Sequence, residues 1–194
     1  MLVASNLNKH FKNISIVFCN SMIDAKNEKV TDEAVIFYDD KNQVGSINIL
    51  KPELFQLEEN EGFFVLNDKQ EALIIDFVNK QGLQINVVPQ FKFVKITKRE
   101  KHPKSDKLFI LNVMENEQAN EVRQIVTNTL DSTEGKVLVI ALPGATVASG
   151  EKIIPGKVMD EKSDGMIVSY KTLGKNQEGL IFGNETDLGK EFKL

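Results

Sequence analysis

Phe91-Lys-Phe-Val-Lys-Ile-Thr-Lys98, running on into Arg99-Glu-Lys-His-Pro-Lys-Ser-Asp-Lys-Leu108, decides how the second half of this chain reads. Phe91, Phe93, Val94 and Ile96 interleave with Lys92, Lys95 and Lys98, the near-twofold alternation of a strand with one face in a core and one in water. Between positions 92 and 107 stand seven basic residues (Lys92, Lys95, Lys98, Arg99, Lys101, Lys104 and Lys107) against Glu100 and Asp106. Such lysines serve either as a solvated edge that resists strand addition or as a groove that displaces counterions from a polyanion. Strand geometry, with Lys95 set across a bulge, allows Lys92, Lys95 and Lys98 to track one backbone groove.

The residues that follow repeat the strand pattern. Stretches 108–114, 122–126, 136–142 and 166–170 are short, apolar or alternating, and are separated by turn residues. Five or so such strands in about one hundred residues predict a small closed or sandwiched β structure. The first ninety residues read as a small α+β unit. Strands are expected at 14–19, 34–38 and 44–50, the last two forming a hairpin around Asp39-Asp40-Lys41-Asn42. A helix is expected at 68–81, capped by Asp68 and Glu71, with Ala72, Ile75 and Val78 at helical spacing and Gly82 just beyond. Pro89 disfavours helix before it, and the charge balance changes there, so the boundary is placed between domains 1–89 and 90–194.

Composition narrows the function. The net charge of −4 conceals an asymmetry: residues 1–90 carry 8 lysines against 13 acids, while residues 91–194 carry 16 basic residues against 15 acids. No apolar run is long enough to span a bilayer, and residues 1–10 lack the basic-then-apolar order of a signal peptide. One cysteine, Cys19, and two histidines, His10 and His102, supply neither an internal disulfide nor a Cys/His zinc site. A reduced, cytoplasmic setting without membrane, metal or cofactor is expected. No nucleophile–base set, P-loop or dinucleotide fingerprint occurs, which argues against an enzyme.

Four further elements follow in order: His102-Pro-Lys-Ser-Asp-Lys-Leu108, Gln124-Ile-Val126, Ala141-Leu-Pro-Gly-Ala145, and Ser163-Asp-Gly-Met166 with Ser169 and Leu173-Gly174. Together they resemble the tRNA-binding OB domain found in the bacterial phenylalanyl-tRNA synthetase β subunit and in free-standing tRNA-binding proteins. The likeness covers about residues 91–174. With its acidic α+β region, the whole chain resembles the YtpR-type tRNA-binding proteins of low-GC Gram-positive bacteria. The resemblance implies an OB-fold barrel, transfer RNA as partner and no catalysis. Two positions depart from the pattern: Met159-Asp160 stands where an Arg-Gly pair is usual, and Thr172 where Glu is.

The candidate RNA contacts are Lys95, Lys98, Arg99, Lys101, His102, Lys104, Lys107, Gln124, Asn128, Ser163 and Met166. Lys104 and Lys107 are phosphate candidates, while His102 serves either a base, a phosphate or its own turn. Gln124 and Asn128 have amides suited to base edges. Ser163 and Met166 are raised by the resemblance. Asp106 and Gly165 read as backbone residues. Few aromatics accompany the basic stretch, which favours folded RNA read by phosphates and shape over general single-strand binding. The competing reading is a protein-interaction adaptor that uses the barrel for docking. A homodimer or protein partner through the N-terminal domain is a further expectation.

Overall fold

β-branched and aromatic runs near the N-terminus pair into one antiparallel sheet. The computed structural model describes residues 1–7, 11, 13–116 and 122–193; His10 lies outside them. Two units are resolved, Met1–Val88 with Gly144–Lys152, and Pro89–Pro143 with Ile153–Lys193.

In the first unit, β1 (Val3–Asn6), β2 (Ser15–Phe18), β3 (Asn27–Val30), β4 (Ala34–Tyr38), β5 (Val44–Ile49) and β6 (Phe63–Val65) form a sheet of order β3-β4-β5-β2-β1-β6. The stretches read as 14–19, 34–38 and 44–50 are β2, β4 and β5, and β4 pairs with β5 as the expected hairpin. Asn27-Glu-Lys-Val30 carries no apolar alternation because it is the outermost strand, with Val30 66% exposed. Helix α1 (Asp68–Lys80) packs Ile74 and Val78 into a core with Leu2, Val17, Ile36 and Ile47. Its capping box lies one residue earlier than the sequence suggests. The Asn67 side chain accepts from the Gln70 amide, and Gln70 returns the bond to the Asn67 amide. Glu71, freed from capping, accepts from the Leu2 amide at 2.8 Å. Cys19 is fully buried. Burial first, and the Glu71 charge second, push its thiol far above the ordinary range, so it stays protonated and inert.

The second unit contains β7 (Phe91–His102), β8 (Ser105–Met114), β9 (Val122–Thr127), β10 (Val137–Ala141), β11 (Gly156–Val158), β12 (Glu161–Ser163), β13 (Met166–Ile167) and β14 (Phe182–Gly183). The sheet runs β13-β10-β7-β8-β9, with β14 also on β10 and β11-β12 as a separate hairpin. The near-continuous apolar run 137–141 is central and wholly buried, as its composition requires. Val94, Ile96, Leu111, Val113, Ile125, Leu138 and Ile140 form the interior. The chain just before β13 then crosses to β9: the Asp164 amide donates to the Gln124 carbonyl at 2.9 Å, and the Val126 amide donates to Ser163 Oγ at 3.1 Å. These bonds join the two edges of the sheet into a barrel-like form. Gly165 permits the crossing. It has φ +148°, and an added Cβ would lie 2.9 Å from the Ala141 carbonyl. The tail pairs with the start of β7: Phe93 donates to the Lys190 carbonyl, Phe192 to that of Phe91, and the Phe93 and Phe192 rings meet edge-on at 5.5 Å.

Gly165→Ala is expected to destabilise the second unit by about 1–3 kcal/mol, read as a lower urea midpoint. An unchanged midpoint would mean that the crossing tolerates a side chain.

Candidate nucleic-acid interface

The basic stretch is a long hairpin rather than the strand and loop that its sequence suggests. β7 continues to His102, and β8 begins at Ser105 after a two-residue turn. A bulge falls between Ile96 and Lys98. Beyond it β7 buries no residue until His102, so apolar alternation vanishes from its sequence although the ladder continues. Register divides the cations. Lys95 lies opposite Met114 and Lys98 opposite Asn112, on one face. Arg99 lies opposite Leu111 and Lys101 opposite Phe109, on the other. The groove expected of Lys92, Lys95 and Lys98 therefore holds for Lys95 and Lys98, whereas Lys92, three residues before Lys95 with no bulge between them, lies on the opposite face of β7.

Carboxylates neutralise a defined subset. Lys92 pairs with Glu115 at 2.8 Å, Lys95 with Glu185 at 2.8 Å, Lys98 with Glu100 at 2.8 Å, and Lys104 with Asp160. Among the described residues, Arg99, Lys101 and Lys107 make no ion pair, and Lys101 and Lys107 are exposed. The Arg99 guanidinium lies 3.5 Å from the Phe109 ring centroid, a cation–π contact that orients the group without neutralising it. Exposed pairs such as Lys98–Glu100 contribute little and are readily exchanged for a phosphate.

His102 is buried, 4% exposed. Its Nδ1 accepts from the Lys104 amide, which leaves the proton on Nε2 to donate to the Val158 carbonyl, each at 3.1 Å. This ring therefore ties the β7-β8 turn to the β11-β12 hairpin, and the Lys104–Asp160 pair repeats the link at the tips. Met159 and Asp160 form the β11-β12 turn with φ of 48° and 74°, the left-handed pair that a tight hairpin demands. Asp160 tolerates this conformation better than most residues; for Met159 nothing compensates.

Gln124 Nε2 donates to the Lys162 carbonyl at 2.8 Å, and Ser163 is 9% exposed with its hydroxyl on Val126. Both side chains are thus bound into the barrel seam. Asn128 and Met166 meet in a cleft of about 390 Å³. Its apolar walls are Leu108, Val126, Val158, Met166, Ile167 and Leu180; Thr127, Asn128, Thr129, Ser169 and Thr172 supply the polar atoms. Thr172, one of the two departures, bonds to Ser169 and leaves the cleft without a charged side chain. Sequence reasoning missed Val158 and Thr129 as partners of Met166, since the three come from three separate segments with no shared spacing.

Glu115 collects Lys92 and Arg123, the latter at 2.8 Å. Burial pushes its carboxyl up, but the hydrogen bonds and charges of Lys92 and Arg123 outweigh that and hold it below the ordinary carboxylate value. A depressed carboxyl stabilises the fold above its unfolded pKa and loses that contribution as pH falls through the folded value.

The second unit is thus a small antiparallel β domain that carries a cationic hairpin beside a neutral cleft. Residues 91–191 match the profile of the family described as "Putative tRNA binding domain", and the chain belongs to that family. It is 36% identical over 103 residues to a phenylalanine–tRNA ligase β subunit of Clostridium tetani, a match covering 51% of this chain and 13% of that protein. It is 27% identical over 150 residues to the "Putative tRNA-binding protein YtpR" of Bacillus subtilis, covering 75% of this chain and 73% of that one. Among solved structures it is similar to a MetRS related protein from Pyrococcus horikoshii, with 26% identity, a TM-score of 0.37, and coverage of 52% and 85% of the two chains. The chain thus spans a small fraction of the synthetase subunits it matches.

Two measurements test this geometry. On a heparin column Lys107→Ala should elute at clearly lower salt, Lys104→Ala at only slightly lower salt, and Asp160→Asn at higher salt; equal losses for the two lysine variants would remove the masking role of Asp160. As pH falls below about 4.5, the wild-type urea midpoint should fall more steeply than that of Glu115→Gln, which has no carboxylate to protonate.

Proposed function

We propose that the chain is a non-catalytic tRNA-binding protein whose second unit is an OB-fold barrel and whose first unit is a small α+β domain. The observation that carries the reading is the family match across residues 91–191. The relatives' names supply tRNA as the ligand. In this reading Arg99, Lys101 and Lys107 take phosphates directly, while Lys95, Lys98 and Lys104 do so after exchanging their carboxylate partners. Gln124, His102 and Ser163 hold the surface in shape, and Asn128 and Met166 face the RNA from the cleft. Recognition at the hairpin is by phosphates and shape, because it offers phenylalanines that pack inward rather than a stacking platform. Among the described residues no helix is long and apolar enough to cross a membrane; a cytoplasmic setting belongs to the proposal.

Filter binding of bulk tRNA at rising salt tests it. Affinity should fall log-linearly, by about 0.7–0.9 units of slope per neutralised phosphate. A flat salt response, or no binding at about 50–100 mM salt, would defeat the reading.

A second reading is favoured by the Lys104–Asp160 pair and by the acid excess of residues 1–90. It makes the barrel a protein-docking adaptor, with a homodimer or protein partner on the first unit. Recovery of a stoichiometric protein after ribonuclease treatment would support it, and recovery of RNA alone would exclude it.

A further inference from the structure

We propose that the cleft between β8, β9 and the segment 166–180 receives one unstacked nucleobase of the bound RNA, with Asn128 reading its edge. The inference rests on the tRNA-binding reading and assigns a subsite within it. The absence of a charged side chain from the lining leaves a phosphate, an amino acid or a metal ion without a counter-charge there. A base is neutral and flat, and needs apolar walls with a few edge contacts. Leu108 and Val158 supply aliphatic walls, and the half-buried Met166 adds a polarisable thioether suited to an aromatic face.

The polar atoms are not equally available. Thr127 bonds to Thr129, which donates to Ser132, and Ser169 and Thr172 bond reciprocally. Asn128 is exposed and makes no hydrogen bond among the described residues. Its carboxamide presents a donor and an acceptor side by side, the complement of a base edge with the same pair. Outside the cleft, Lys107 adjoins Leu108 and Lys157 adjoins Val158, both exposed and without an ion pair among the described residues. A neutral slot whose wall residues stand next in sequence to unpaired cations matches a nucleotide, base within and phosphates outside. An aliphatic peptide side chain would use the walls and leave Lys107, Lys157 and the Asn128 amide unemployed.

The test is a titration of full-length protein, labelled at methionine methyls and side-chain amides, with single-stranded hexauridylate and hexaadenylate and with a blunt RNA duplex. The Asn128 amide and Met166 methyl should shift saturably with at least one single strand and stay still with the duplex. Asn128→Ala, a change at an exposed position, should weaken that single-strand binding about three- to tenfold and leave duplex binding unchanged. Single-strand binding with the Asn128 amide and Met166 methyl unmoved, or equal cleft shifts with the duplex, would overturn the subsite. So would unaltered affinity in the variant. Binding of bulk tRNA alongside a silent cleft removes only this inference, whereas failure of bulk tRNA to bind removes the functional reading with it.

Discussion

The second unit depends on how its sheet is closed. The strand path β13-β10-β7-β8-β9 has two open ends, and β9 would present unpaired backbone groups to solvent. The chain at 162–165 covers that edge with a backbone bond from Asp164 to Gln124 and with side-chain bonds from Val126 to Ser163, from Gln124 to Lys162 and from Arg123 to Asp164. Gly165 makes the approach to Ala141 sterically possible. The closure has a second consequence. Because Met166 follows directly, the same few residues that seal the barrel also set one wall of the neutral cleft, so stability and surface shape are fixed by one short segment.

Charge is distributed by pairing more than by position. The hairpin carries seven cations in sixteen residues, yet Glu115, Glu185, Glu100 and Asp160 neutralise Lys92, Lys95, Lys98 and Lys104. What remains is the smaller set Arg99, Lys101 and Lys107. The pairs differ in kind. Lys98–Glu100 is solvent-exposed on both sides and weakly held, whereas Lys92–Glu115–Arg123 is three-quarters buried and knits the start of β7 to the end of β8 and to β9. The first group is exchangeable by a polyanion and the second is architectural. Asp160 holds an intermediate place, since it closes a turn and masks a lysine at once.

Much of the architecture was legible because burial writes itself into residue choice. The interior strand 137–141 is apolar throughout, β4 and β5 flank an Asp-Asp-Lys-Asn turn, and helix α1 shows its apolar spacing. Elements that bury little left no such trace: β3 at a sheet edge, the solvated end of the β7-β8 ribbon, and β11-β12, all three residues of β11 being exposed. The capping box was misplaced by one residue because Asn67/Gln70 and Asp68/Glu71 offer the same chemistry at the same spacing, and only Glu71's bond to the N-terminal backbone separates them.

The amino-acid sequence by itself determined that the second half is a β structure with a cationic hairpin, and its ordered motifs carried the resemblance to tRNA-binding domains. Those are properties of local pattern: alternation, turn residues, charge density. Only the tertiary structure decided which cations stay unpaired, that His102 and Ser163 spend their polar atoms inside the fold, and that Asn128 and Met166 share one cleft. These outcomes depend on contacts between residues tens of positions apart, and side chains meet there through register and closure of the sheet, which no local spacing encodes.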